Sequence, residues 1–167
     1  MRLMLLFLML LCPCHCLASG LSQNQLKAAF LYRFSQFSTW PPPPKQEMVY
    51  CVVGNPSLFN AVSELLSTQP SKLKSKVVTP IDSKEAQQCQ LLFISQQDRQ
   101  QSLYWLEGVK DSAVLVVADT SEGFRQGAAI GLIADNNSLN FSINLTDARA
   151  RGLELSAHLL KLATEVR

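Results

Sequence analysis

AVLVVADTSEGFRQGAAIGLIADNNSLNFSINLTDARARGLELSAHLL, residues 113–160, carries the main architectural signals of the chain. Residues 114–118 form an unbroken apolar run of strand length, and Asp119 stands at its C-terminal end. In open α/β sheets that edge is where ligands gather, so Asp119, Thr120 and Ser121 are candidates for the polar lip of a pocket. A turn or helix cap is the plainer reading of the same residues. Residues 128–134 and 139–145 flank Asp135-Asn136-Asn137, which is turn chemistry, and together they predict an antiparallel hairpin. Thr146 or Asp147 is then placed to cap a closing amphipathic helix. Leu155, Leu159, Leu162 and Val166 form its apolar line, with Arg151, Glu154, His158, Lys161 and Glu165 opposite.

Upstream, strands alternate with helices. Residues 48–53 read as a buried strand ending at Gly54, and Asn55-Pro56 opens a helix with a cap followed by a first-turn proline. That helix runs through Phe59, Val62, Leu65 and Leu66. The GNPSLF segment lacks both the three glycines of a dinucleotide fingerprint and the Lys-Ser/Thr of a P-loop, so it reads as an ordinary turn. A polar stretch leads to a short strand at Val77-Val78, a helical turn within residues 82–88, and a third strand at residues 89–94. A helix over residues 98–109 follows, with Leu103, Leu106 and Val109 inward. This alternation implies right-handed crossovers and a mostly parallel sheet. The expected fold is a single three-layer, Rossmann-like α/β domain with the hairpin at one sheet edge. Ahead of the sheet, Leu26, Ala29, Phe30, Phe34 and Phe37 recur at helical spacing, with Lys27 and Arg33 off that stripe. Four prolines at 41–44 end this first helix and act as an extended spacer.

A chain of 167 residues, 47% hydrophobic and 17% charged, suits one core rather than two. Met1-Arg2, the apolar run 3–11 and small residues before Ser19 form a secretory leader, residues 1–18, ahead of a mature domain, residues 19–167. The apolar run is about half the roughly 20 residues a membrane span needs, and no small residue precedes Cys12 or Cys14 as lipid attachment requires. Without Arg2, the 15 basic residues become 14 against 13 acidic ones, which leaves no electrostatic footprint for nucleic acid. Three of the five cysteines leave with the leader. In an oxidising compartment the remaining pair, Cys51 and Cys89, reads as a disulfide, with two separately buried thiols as the alternative. A 2-1-3-type strand order brings those two positions together.

Catalytic chemistry is sparse. His158 is the single histidine of the mature chain, no GxSxG elbow occurs, and no metal or cofactor is expected. The sequons at Asn140 and Asn144 are discounted because such matches arise by chance and the first lies within a strand.

Several stretches together resemble the YfiR family of periplasmic proteins: AAFLYRFSQFSTWP (28–41), YCVVGNP (50–56), CQLLFIS (89–95), VLVVADTSEGF (114–124), GAAIGLI (127–133), FSIN (141–144) and GLELSAHLLKLA (152–163). Two departures stand out. Gly127-Ala128 replaces a Gly-Gly pair, and Phe141-Ser142-Ile143-Asn144 replaces Phe-Glu-Ile-Asn. The resemblance implies a periplasmic regulator that is not an enzyme. Such a regulator represses a membrane-bound diguanylate cyclase, YfiN, by binding its periplasmic portion, and lowers cyclic di-GMP and biofilm formation. It also implies release through an outer-membrane lipoprotein that sequesters the regulator, with redox control through Cys51 and Cys89. The rival reading is a ligand-binding accessory domain for another envelope receptor, sensor kinase or transporter.

Overall fold

The computed structural model describes residues 21–70, 73–95, 98–135 and 138–167. The expected leader and the Asn136-Asn137 part of the hairpin turn lie outside the described residues. In chain order the elements are α1 (Gln23–Gln36), β1 (Ser38–Thr39), β2 (Glu47–Val53), α2 (Pro56–Thr68), β3 (Lys74–Val78), α3 (Ser83–Ala86), β4 (Leu91–Ile94) and α4 (Arg99–Gly108). They continue as β5 (Leu115–Ala118), α5 (Ser121–Arg125), β6 (Ile130–Asp135), β7 (Ser138–Ile143), α6 (Leu145–Ala150), β8 (Glu154–Leu155), α7 (Ala157–Leu162) and β9 (Glu165–Val166).

Apolar residues on both faces of β2, β4 and β5 force these strands into the middle of a sheet with cover on both sides. Tyr50, Val52, Leu91, Phe93, Leu115 and Val117 point to one face, where Ala28, Leu31 and Phe34 of α1 meet Leu58, Ala61 and Val62 of α2. The alternate residues, Cys51, Val53, Leu92, Ile94, Val116 and Ala118, pack on Ala86, Leu106 and Val109 at the other. The result is a three-layer α/β sandwich with strand order β3-β2-β4-β5-β6-β7-β9. The strands from β3 to β6 pair in parallel, and β6 and β7 form the expected antiparallel hairpin, in register from Ile130↔Ile143 to Asp135↔Ser138. Because β2 lies between β3 and β4, Cys51 and Cys89 come within a Cα–Cα distance of 6.0 Å and form a disulfide.

Three expectations need correction. The closing helix is two short helices. Gly152, with φ of 74°, stops α6, and the bonds Gly152 N–H to Arg149 O and Leu153 N–H to Ala148 O are those of a Schellman ending. The cap of α6 is Asn144 rather than Thr146 or Asp147, and Ser156 caps α7. Between the two helices β8 pairs antiparallel with β1, and beyond α7 the two-residue β9 adds to β7 in parallel, outside the hairpin.

Arg151, expected on a solvated face, is buried. It donates to Asp147 Oδ2 at 2.9 Å and to the Val109 carbonyl at 2.5 Å, which ties α6 to the end of α4. The third correction concerns α1. Its buried face is Lys27, Ala28, Leu31, Phe34 and Ser35, so most of the apolar stripe read from the sequence is only half covered.

Candidate functional site

The C-terminal edge of the parallel strands is closed by a polar cluster. Asp119 follows β5, and its Oδ2 accepts from Lys27 Nζ of α1 at 2.7 Å and from Ser95 Oγ, just after β4, at 3.0 Å. Both side chains of the ion pair are only 9% exposed. Asp119 Oδ1 makes no hydrogen bond among the described residues. The Lys27 ammonium also stands 5.8 Å from the centre of the Phe93 ring. Thr120 caps α5 by accepting from Gly123 N–H, and Ser121 opens that helix. Asp119 is thus turned inward to α1, while Thr120 and Ser121 shape the helix that follows.

Helix α1 shows a different surface on its other side. Leu26, Ala29, Phe30, Arg33, Phe34 and Phe37 form one wall of an open groove of about 330 Å³, with Phe141 of β7 at its base and His158, Leu159 and Leu162 of α7 opposite. Phe30, Phe34 and Phe141 pack as a triad, with ring centres 5.1–5.9 Å apart, and this fixes the floor. Phe37 lies 5.2 Å from the His158 ring across the groove. Leu162 remains 58% exposed on the far rim. Among the described residues no carboxylate lies within ion-pair distance of Arg33, so a cationic head stands free at the edge of an apolar surface. An apolar group bearing an acid fits this arrangement.

The Cys51–Cys89 disulfide lies on the opposite face of the sheet, and its two cysteines are 1% and 2% exposed. It is part of the core rather than of the groove. Among the described residues no three His, Cys, Asp or Glu side chains are grouped to hold a metal ion. None of the described helices is long and apolar enough to cross a membrane.

Sequence reasoning found the groove residues without seeing the groove. Leu26, Ala29, Phe30 and Phe37 read as core, and His158 as solvated. The available signal was the width of the apolar surface on α1. Phe30, Leu31, Phe34 and Phe37 cover more of its circumference than a single buried stripe requires.

The family profile of YfiR/HmsC-like proteins matches residues 24–164, a span that includes the groove, the ion pair and the disulfide. The chain belongs to the YfiR/HmsC-like family. No curated protein matches it significantly. Among solved structures it is similar to a conserved domain protein of Vibrio cholerae O1 biovar El Tor, with a TM-score of 0.57 and 14% identity over 89% of this chain and 62% of the other. It is also similar to an ABC domain from Streptococcus pneumoniae solved in complex with L-Trp, with a TM-score of 0.56 and 8% identity over 86% of this chain and 60% of the other. This YfiR/HmsC-like chain therefore spans about three fifths of each of those chains, and at such identities the likeness shows the fold alone.

Proposed function

We propose that this protein is an exported, non-catalytic regulator that binds the periplasmic portion of a membrane-bound diguanylate cyclase and holds the enzyme inactive. Cyclic di-GMP and biofilm formation fall as a result. Membership of the YfiR/HmsC-like family is the observation that carries this reading. The groove between α1 and α7 supplies the recognition surface: an apolar wall of Leu26, Phe30 and Phe37 with Arg33 at its rim accepts an apolar segment that carries a carboxylate. Repression then requires only that the groove bind the inactive arrangement of the cyclase more tightly than the active one. A ligand shifts a conformational equilibrium by its difference in affinity for the two states. An outer-membrane lipoprotein that competes for the same regulator relieves the repression.

The groove volume of about 330 Å³ also favours a second reading, an accessory domain that presents a small apolar acid to another envelope receptor. Capture of bound proteins from detergent-solubilised envelope, with cyclic di-GMP measured on deletion of the gene, separates the two. Recovery of a diguanylate cyclase with a rise in the nucleotide is the expected result. Recovery of a receptor or transporter with no change in the nucleotide would overturn the repressor reading in favour of the accessory domain.

A further inference from the structure

Helix α7, the far wall of the groove, is held chiefly at its two ends. It is six residues long and buries Leu159, while Leu160 is half covered and Leu162 stands 58% exposed. A helix this short has no stability of its own in water, so its place depends on what ties it down. At the first end the ties run to the α1 side of the groove. Ser156 N–H donates to the Phe37 carbonyl at 2.9 Å, Leu155 pairs with Ser38 where β8 meets β1, and the His158 ring lies 5.2 Å from that of Phe37.

The second end is fastened by the chain beyond it. Residues 164–167 are all exposed, so polar contacts rather than apolar burial hold them. The carbonyl of Phe141, whose ring floors the groove, accepts from Thr164 N–H at 2.9 Å and from Thr164 Oγ1 at 3.0 Å. Arg167 N–H donates to the Ile143 carbonyl at 3.0 Å, and the Arg167 carbonyl accepts from Leu145 N–H at 2.7 Å. The Arg167 side chain then reaches α5. Its Nη2 donates to the Phe124 carbonyl at 2.9 Å, and the guanidinium lies 4.2 Å from the centre of the Phe124 ring. Gly131 makes room for that ring, since a Cβ there would stand 2.8 Å from Phe124 Cγ.

We propose that Thr164 and Arg167 are positioning residues for the groove: they clasp residues 164–167 to β7 and α5, and this strap holds the Leu162 end of α7 in place. Release of the clasp frees α7 from that end while Ser156 stays bound to Phe37, and the groove loses its far wall. Solvent-exposed fastenings of this kind open well below the free energy of global unfolding. The weight of this for recognition rests on the groove being the recognition surface proposed above; the strap itself is independent of it. The test is amide hydrogen exchange, read residue by residue by NMR, on the full mature chain and on Thr164→Ala with Arg167→Ala. Both positions are exposed, so the substitutions leave the core intact. In the variant the α7 amides should exchange about tenfold faster, the factor expected for loss of roughly one net hydrogen bond of stability. Strands β2, β4 and β5, and the Ser156 amide, should keep wild-type protection.

Faster exchange confined to residues 164–167, with α7 unchanged, overturns the proposal, because the tail then frays without freeing the wall. Equal acceleration in the central strands also overturns it, because the contacts then serve the whole fold. If the double variant folds poorly, Arg167→Ala alone is read by the same criteria. No readout involves a partner, so a failed cyclase assignment leaves this result intact.

Discussion

Tyr50 shows how one buried polar group links packing to pH. Its ring is 1% exposed beneath α1, and burial pushes the phenol up from its ordinary value of 10.0 to about 12. A raised acid stays protonated in the folded state after the unfolded chain has lost its proton. The associated stability is therefore complete below pH 10 and is lost as pH rises from 10 through 12. Two pH units of that slope correspond to roughly 2–3 kcal/mol. Denaturant titrations of the wild type and Tyr50→Phe across that alkaline range should differ by this amount, with the variant losing less stability; parallel curves would contradict the assignment. Lys27 makes the complementary point about legibility. Its partner, Asp119, is 92 residues away, so the sequence offered a cation off an apolar stripe and an acid in a loop, with nothing local to join them.

Helical period alone misled where short-range stop signals competed with it. The line Leu155, Leu159, Leu162, Val166 fits one helix, yet Gly152 adopts a left-handed backbone at the end of α6 and Ser156 starts α7 with a new cap. A Cβ at Gly152 would lie 3.5 Å from Pro41 Cγ, an ordinary contact, so Gly152→Ala tests backbone conformation rather than crowding. The cost is about 1–2 kcal/mol, which should lower the thermal midpoint by several degrees. An unchanged midpoint would mean that the Schellman ending is dispensable. The strands were legible for the opposite reason. Continuous apolar runs in β2, β4 and β5 have no stable place except between two layers of helix, and their alternate residues do supply both cores. The edge elements β1, β8 and β9 are only two residues each, too short to carry a pattern.

At the scale of the whole molecule, the proposed recognition groove and the covalent constraint lie on opposite faces of the sheet. The disulfide closes a separation of 38 residues between neighbouring strands. On the chain-entropy account it stabilises the fold by about 4 kcal/mol. Replacing both cysteines, Cys51→Ala with Cys89→Ala, should shift the denaturant midpoint accordingly, and an unshifted midpoint would show that the bond contributes nothing. The two cysteines are 1% and 2% exposed, and both line a pocket beside Glu47, Lys76, Glu85 and Gln90.

The proposed repressor reading rests on the groove as its recognition surface: apolar side chains beside Arg33, which has no carboxylate at ion-pair distance among the described residues. Cyclic di-GMP in cells carrying Phe30→Glu in place of the wild-type gene measures that claim most directly. Because Phe30 packs on Phe34 and Phe141, the comparison is made at equal amounts of folded protein, and there the nucleotide should rise to the level seen on deletion. A nucleotide level held down as in the wild type, with the acidic side chain in the middle of the groove, would contradict the account.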